Sequence, residues 1–465
     1  MAAVAILIIG ALTLFLYSVL CCTRRAMKYS RFNTFPSIFK YTIIAFALVL
    51  TSCDAGINNK NKTQPNDIVD LDYNAIDSTR LLKPLQNKPI PAADQLETWI
   101  QKLDGKHVAI VGNQTSVVSS SSIKERRTWD QAIKVRYVHL VDTLLSRGVT
   151  VKKVFAPEHG FRGDADAGAA IADGVDKRSG LSIVSLYGNN KKPTAAQLAD
   201  VDVILFDIQD VGARFYTYIS TLHYVMEAAA EQNKTVYILD RPNPNGHYVD
   251  GPILDSDHKS FVGMHPVPVV HGMTIGEYAQ MINGEGWLEY GKKADLIVLP
   301  IKDYTHDTPY ELPIAPSPNL PNAQSINLYP SLCFFEGTDV SVGRGTDMQF
   351  QVYGSPSLAK YRDFAFTPTP NRGAKRPLFN GKKCFGVDLR DYPKLDRLNL
   401  EFVVDAFAKA PYKQSFFNFF FTKLAGTDLL QKQIEKGMSA EEIAATWKEG
   451  LADFMITREK YLLYD

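Results

Sequence analysis

Residues 154–163, VFAPEHGFRG, contain the transition that decides the fold. The apolar, β-branched run 149–155 predicts a buried strand, which ends because Pro157 restricts the backbone of the residue before it. Glu158, His159 and Arg162 follow directly. An α/β sheet places its chemistry in such loops, outside the carboxyl ends of its strands. The alternative interpretation is an ordinary solvated loop that carries a surface acid and imidazole.

The same order of strand, loop and helix extends on both sides of this stretch, over residues 81–305. Alternation of this kind predicts right-handed βαβ units and therefore an α/β fold with a mainly parallel sheet and helices on both faces. The predicted strands are 107–112, 149–155, 181–186, 201–206, 235–239 and 296–299. The predicted helices are 136–146, a short helix capped by Thr194, 219–232, and 274–283 with a capping box at its start.

The pattern changes in a proline-rich passage, residues 309–321, which we interpret as the crossing into a second domain over 306–465. Short predicted strands at 350–353 and 384–389 mix there with predicted helices at 399–409 and 439–454. This mixture predicts a smaller α+β auxiliary domain. No cysteine pair has zinc-site spacing. Cys333 and Cys384 could form a disulfide, but two buried free thiols are expected.

Polar clusters follow each strand of the first domain. Since parallel strands bring these ends to one edge, the clusters predict a binding crevice. Its candidate residues are Asn113, Glu158, His159, Arg162, Asp207, Asp210, Arg214, Tyr216, Tyr218, Asp240, Arg241 and Asn243. In the second domain, Glu336 and Arg344 lie in glycine-rich loops that are suited to closing over a ligand. The alternatives are helix capping for the aspartates, packing for the tyrosines and ordinary hairpin turns for the glycine-rich loops.

The crevice composition indicates a class of ligand. Carboxylates, tyrosines and amides suit a polyhydroxylated molecule, and Arg162, Arg214 and Arg241 suit an anionic group on it. The chain lacks the GxGxxG, GxxxxGK[ST], GxSxG and HExxH motifs, so dinucleotide, P-loop, serine-hydrolase and zincin sites are not expected. A net charge of +1 does not favour a nucleic-acid partner. A metal bound by His159, Asp207 and Asp210 stays open as an alternative.

Several motifs together resemble one family. APEHGFRG, LFDIQDVGARFYTY, DRPNPNG, VPVVHGMTIGE, SPNLPN and FFEGTDVSVGRGT occur in this order between residues 95 and 465, and they resemble the NamZ-type exo-β-N-acetylmuramidases. The resemblance implies a Rossmann-like domain, an auxiliary domain and an active site in the cleft between them. It also implies release of terminal N-acetylmuramic acid from peptidoglycan fragments, without a cofactor. The sequence departs from the pattern at Asp339, where the family leads us to expect asparagine.

The resemblance also assigns roles to residues. The family's catalytic glutamate falls on Glu158, and DIQD, DRPNP and EGT…GRGT are expected to supply substrate contacts. A glycosidase usually needs a second carboxyl group, for which Asp207, Asp210, Asp240 and Glu336 are candidates. His159 or one of these carboxylates is expected to tune the acid. An arginine among Arg162, Arg214, Arg241 and Arg344 is expected to recognise the lactyl carboxylate of muramic acid. Rival functions are a non-catalytic muropeptide or glycan receptor and a metal-dependent amidase or phosphatase.

The N-terminal segment, residues 1–53, carries two apolar runs. The second, 41–50, follows basic residues and ends in LTSC, which resembles a bacterial lipobox with Cys53 as the lipidated residue. On that interpretation Met27 begins the precursor, and the chain is exported and anchored in the cell envelope by lipid. The competing interpretation is a membrane anchor over residues 2–20. Residues 54–80 are expected to form a disordered tether.

Overall fold

A seven-stranded sheet forms the first half of the chain in the computed structural model. The structure describes residues 88–119, 137–158, 160–162 and 173–465. The sheet order is β5-β6-β4-β1-β7-β8-β9, and every pair is parallel except β5 with β6. Its strands are β1 (His107–Gly112), β4 (Thr150–Ala156), β5 (Gly174–Val175), β6 (Ser182–Ser185), β7 (Val203–Asp207), β8 (Thr235–Leu239) and β9 (Asp295–Leu299), while β2 (Val117–Ser119) and β3 (Tyr137–His139) form a separate antiparallel pair. The predicted α/β fold is confirmed.

The central strands are buried on both faces. Every residue of β7 is buried, and in β1 only His107 is exposed. Near-continuous apolar runs of this kind are typical of parallel strands covered by helices on both sides. The progress of the chain across the sheet reverses about β1, which has β4 on one side and β7 on the other. Ligands of α/β proteins bind outside the carboxyl ends of the strands at such a reversal.

Four helices accompany the sheet. Thr194 caps one of them and a capping box at Thr274 begins another, as predicted, and Thr194 also forms a capping box with Gln197. The predicted helix 136–146 is wrong in its first part, because residues 137–139 pair with β2 and the helix begins only after His139. A strand partner far along the chain is invisible to local periodicity. The helices are α1 (Leu140–Ser146), α2 (Ala195–Leu198), α3 (Tyr218–Glu231) and α4 (Ile275–Gly284).

The second half combines a small sheet with helices. A 3₁₀ helix, Cys333–Gly337, directly follows α5 (Ala323–Leu332). Cys333 and Cys384 are buried free thiols, as predicted. The antiparallel sheet has the order β10-β12-β11. Its strands are β10 (Val352–Ser355), β11 (Phe364–Phe366) and β12 (Cys384–Asp388), and the later helices are α6 (Glu401–Lys409), α7 (Phe420–Ala425), α8 (Leu429–Glu435), α9 (Ala440–Ala445) and α10 (Lys448–Glu459).

The predicted helix 439–454 is divided in two. Ser439 caps α9 as expected, but that helix ends at Ala445. The Thr446 hydroxyl donates a hydrogen bond to the carbonyl of Ile443, 2.6 Å away. Back-bonding of this kind competes with the regular helix and often bends it. The chain then continues as α10 from Lys448.

One apolar core joins the two halves, since the Phe215 ring packs edge-on against Tyr329 and Phe334, with centroids 5.4 and 5.9 Å away. All described residues belong to one compact unit. The C-terminal segment returns to the parallel sheet, where the Tyr464 hydroxyl donates to Asp240 Oδ2 at 2.7 Å. The backbone N–H of Leu463 also donates to the Glu277 carboxylate at 2.9 Å. Within the described ranges, every helix is too short or too polar to cross a bilayer.

Candidate active site

A cavity of about 610 Å³ lies beyond the carboxyl ends of the parallel strands. Glu158 follows β4, Tyr187 follows β6, and Tyr216 and Thr217 lie between β7 and α3; all four line the cavity. The remaining wall comes mainly from the second half of the chain. It includes Tyr329, Cys333, Glu336, Arg344, Phe350 and residues 373–378. Polar groups and aromatic faces therefore meet in one concave site, as small-molecule sites require.

Glu158 reaches this cavity from a tight turn. The N–H of Gly160 donates to the carbonyl of Pro157 at 3.0 Å, and Gly160 has a φ of +76°, which glycine adopts without steric cost. Two hydroxyls hold the carboxyl group: Tyr187 donates to Oε1 at 3.1 Å and Thr217 to Oε2 at 2.8 Å. Burial and the nearby Glu158 raise the pKa of Tyr187 above its usual range, so this phenol stays a neutral donor.

Glu336 lies in another part of the same cavity wall, on the 3₁₀ helix after α5. Arg344 Nε donates to Glu336 Oε1 at 2.5 Å, and the guanidinium carbon lies 5.1 Å from the Phe350 ring centroid. Burial opposes the charge of Arg344, but Glu336 favours it, and the net effect raises the pKa of Arg344. The cavity thus holds two carboxyl groups in different settings, one between hydroxyls and one against a guanidinium.

Asp207 and Arg241 do not line the cavity, because they bind each other. Both side chains are almost completely buried, and Arg241 donates from Nε and Nη2 to the two carboxylate oxygens at 2.6 and 2.9 Å. A second bond from Nη2 reaches the carbonyl of Val117 at 3.0 Å. This bidentate pair fastens the ends of β7 and β8 to each other. Asp207 was one of the three ligands of the alternative metal site, and Arg241 already binds both of its carboxylate oxygens.

Asp210, Asp240 and Asn243 are likewise buried within the scaffold rather than in the cavity wall. Asp210 accepts from the N–H of Gly212 at 2.7 Å, and Asp240 accepts from the N–H of Gly276 at 2.8 Å. Burial raises the pKa of each aspartate to about 7. Asn243 donates to the carbonyl of Met273 at 2.9 Å. A Cβ atom on Gly212 would lie 2.4 Å from Asn243 Oδ1, so only glycine fits there.

Two further predicted arginines are held by other partners. Arg214 is completely buried, and its guanidinium donates to four carbonyls, those of Pro252, Val267, Leu424 and Ala425. Burial lowers the pKa of Arg214 to about 9. Arg162 forms ion pairs with Asp176 at 2.7 Å and Asp142 at 3.3 Å. Neither arginine lines the cavity. Arg214 instead connects the two halves of the chain.

The predicted tyrosines and Asn113 lie behind the cavity or in its wall. Tyr216 lines it and donates to the carbonyl of Pro316 at 2.9 Å. Tyr218 lies one layer deeper, where its hydroxyl accepts from Asn113 Nδ2 at 2.7 Å. Burial, with a contribution from Glu158, raises the pKa of Tyr218 above its usual range. His159 and Cys53 lie outside the described residues.

One carboxylate group elsewhere could hold a cation on geometry alone. Among the described residues, Glu227, Glu231 and Glu289 form the cluster whose oxygens converge within 4.8 Å. Lys192 Nζ already lies 2.7 Å from both Glu227 and Glu231. None of the three glutamates lines the cavity. The ammonium of Lys192 therefore already pairs with two of the three carboxylates.

Several cavity residues were absent from the predicted set. Tyr187 and Thr217 hold Glu158, and each follows a predicted strand, so strand-end position was a signal that could have found them. Asn319 lies in the SPNLPN motif, which indicates the family but assigns no role to this residue. Lys375 and Arg376 lie between strands of the second sheet, where no local pattern marks them.

Comparison with known proteins agrees with this architecture. The family model described as exo-β-N-acetylmuramidase NamZ, N-terminal, matches residues 108–324, and the corresponding C-terminal model matches 327–464. The peptidoglycan β-N-acetylmuramidase NamZ of Bacillus subtilis (strain 168) is 36% identical over 397 residues, which cover 79% of this chain and 89% of the relative.

Two solved structures from Bacteroides fragilis NCTC 9343 have the same fold, and both are described as DUF1343 family proteins. One is 44% identical with a TM-score of 0.72, and the other is 27% identical with a TM-score of 0.67. Each match covers 81% of this chain and 99% of the other chain. Both halves match the family models in order, and the curated relative covers most of the described chain. The chain therefore belongs to the NamZ exo-β-N-acetylmuramidase family.

Proposed function

We propose that this protein is an exo-acting glycosidase that releases terminal β-linked N-acetylmuramic acid from peptidoglycan fragments. Family membership supports this activity over that of a non-catalytic glycan receptor. The observation that carries the proposal is the joint placement of Glu158 and Glu336 in one cavity wall. The other carboxylates considered as partners, Asp207, Asp210 and Asp240, make their contacts within the scaffold.

In this proposal Glu158 is the general acid. A glycosidic oxygen leaves readily only when it is protonated, and a carboxyl group within reach of it supplies the proton. The Tyr187 and Thr217 hydroxyls fix the carboxyl plane. Each hydroxyl can donate or accept a hydrogen bond, so the same contacts can hold the carboxyl group with or without its proton. This setting suits a group that has to carry and then release a proton.

Glu336 takes the second carboxyl role. Arg344 donates a charge-assisted hydrogen bond to its carboxylate, which fixes Glu336 in the cavity wall. Retaining enzymes place their two carboxyl groups about 5–5.5 Å apart and inverting enzymes about 6.5–9.5 Å apart. The 2-acetamido group of the substrate is the alternative internal nucleophile, as in substrate-assisted glycosidases. Proton NMR of the first-formed anomer distinguishes inversion from the two retaining mechanisms.

The activity is tested with purified protein and a disaccharide that carries N-acetylmuramic acid at its non-reducing end. We expect free N-acetylmuramic acid as the released sugar, and a chromogenic β-N-acetylmuramide should release its phenol. Longer glycan strands should lose one terminal residue at a time without internal cleavage. Binding of these sugars without any release would support the receptor function instead. Loss of activity with a chelator would support the metal-dependent alternative.

We further propose that the protein is exported and anchored in the cell envelope through a lipid on Cys53. The support is the order of basic residues, apolar run and LTSC at the N-terminus. Peptidoglycan fragments are found in that compartment, so the anchor would keep the enzyme near its substrate. The segment concerned, residues 1–53, lies outside the described residues.

A further inference from the structure

The described part of the cavity wall carries more basic than acidic side chains. Its acidic side chains are Glu158 and Glu336, and its basic ones are Arg344, Lys375 and Arg376. Among these described residues, three cations therefore accompany two carboxyl groups. A cavity with this balance favours a ligand that carries one negative charge.

The cations differ in what they already bind. Arg344 is paired with Glu336 at 2.5 Å. The exposed Arg376 has no ion-pair or hydrogen-bond partner for its guanidinium among residues 88–119, 137–158, 160–162 and 173–465. The other arginines that the sequence suggested, Arg162, Arg214 and Arg241, are held elsewhere. Of the two described arginines in this wall, Arg376 is therefore the one whose donors are available for a ligand.

The loop that carries Arg376 is anchored on both sides. Asn319 Nδ2 donates to the carbonyl of Gly373 at 2.8 Å, and Asn371 and Ala374 exchange backbone hydrogen bonds of 3.1 and 3.2 Å. A Cβ atom on Gly345 would lie 2.7 Å from Pro377, so the loop also packs closely against the backbone next to Arg344. Anchoring lowers the conformational entropy that a bound ligand would have to remove.

We propose that Arg376 recognises the lactyl carboxylate of the terminal muramic acid and so determines specificity for that sugar. The inference rests on the proposed function, because N-acetylmuramic acid differs from N-acetylglucosamine by this lactyl group. A guanidinium binds a carboxylate through two parallel N–H···O bonds, which a neutral substituent cannot replace. Arg376 is a specificity residue and takes no part in proton transfer.

The test compares two chromogenic β-N-acetylmuramides, one with a free lactyl carboxylate and one with the neutral lactyl amide. For Arg376→Ala we expect kcat/KM on the acid to fall by about 10- to 100-fold, the usual range for a hydrogen bond to a charged group. Activity on the amide should stay within about threefold, because it makes no charged pair. Arg376→Lys should recover part of the acid preference. Arg372→Ala removes an exposed arginine of the same loop that does not line the cavity, and it should behave like the wild type.

Each outcome decides one question. Equal losses on acid and amide would overturn the assignment and indicate a structural effect, as would a lowered melting temperature with unchanged preference. Loss of the acid preference in Lys375→Ala but not in Arg376→Ala would assign recognition to the lysine and refute our proposal. Absence of phenol release from both muramides by the wild-type protein would instead contradict the proposed function.

Discussion

Replacement of Glu158 by glutamine tests the proton donor most directly. Glutamine keeps the size of the side chain but has no acidic proton to transfer. General acid catalysis typically contributes about 10²–10⁴-fold, so kcat/KM on a natural disaccharide should fall by that factor. At 1.36 kcal/mol for each tenfold change, this is roughly 3–5 kcal/mol of transition-state stabilisation. A muramide with an activated phenolate leaving group needs less protonation and should lose much less.

The surroundings of Glu158 predict that this loss is chemical rather than structural. Tyr187 and Thr217 are hydroxyl groups that can both donate and accept, so they can satisfy the amide oxygen and the amide nitrogen of the glutamine. The free energy of unfolding should therefore change by less than about 1 kcal/mol. Tyr187→Phe is the matched control: it removes one hydrogen bond, keeps the acid, and should cost about 2- to 10-fold.

Steady-state kinetics on both substrates, with urea unfolding of each variant, decides between the roles. If Glu158→Gln loses equal activity on the disaccharide and on the activated muramide, Glu158 is a nucleophile or a base rather than the acid. If both rates stay near those of the wild type, Glu158 has no part in the mechanism. A loss of several kcal/mol in unfolding free energy would show that the glutamine is not accommodated as the contacts suggest.

Three further predictions concern the scaffold and the N-terminus. Arg241→Met leaves the buried Asp207 without its cation and should lower the free energy of unfolding by about 3–5 kcal/mol in urea titrations. The control Arg390→Met breaks the exposed pair with Asp388 and should leave the unfolding midpoint almost unchanged. Burial raises the pKa of Asp210 to about 7, so the folded protein keeps a proton that the unfolded chain loses near pH 4. The protonated carboxyl group therefore contributes its full share of folding stability below about pH 4, and this share is lost as the pH rises through 7. Asp210→Asn should therefore flatten the fall in melting temperature that calorimetry is expected to record between about pH 4 and 7, and an unchanged slope would contradict this assignment. Cys53→Ser should move the protein from the membrane fraction to the soluble fraction; retention in the membrane, with residues 1–26 present in the mature chain, would favour the anchor at 2–20.

The sheet was predictable because its strands are long apolar runs that differ sharply from their surroundings. The strand at 107–112 and the strand at 235–239 coincide with β1 and β8. By contrast, local periodicity predicts a helix across β3, since its three residues acquire strand geometry only through pairing with β2. Local periodicity reports burial on one face, but it carries no information about a partner elsewhere in the chain.

The candidate site was predictable in its position more than in its composition. The end of β4 indicated where Glu158 would lie, because strand ends share an edge. The sequence could not show that Asp207 and Arg241, 34 residues apart, form a buried ion pair at that edge. Polar residues at strand ends therefore divide into groups that face the ligand and groups that fasten the loops, and only side-chain pairing separates them. Arg376 was missed because a loop from the second sheet brings it to the cavity.

The contact between Tyr464 and Asp240 has a consequence for biosynthesis. Asp240 closes β8, but the hydroxyl that it accepts lies 224 positions later in the chain. While the ribosome is still making the second half, the parallel sheet is already out of the tunnel with this buried carboxylate short of one donor. The Asp240 carboxylate therefore gains this hydrogen bond only after α10 and the segment that carries Tyr464 have been synthesised. Expression of the first half alone would keep the sheet permanently in that unfinished condition.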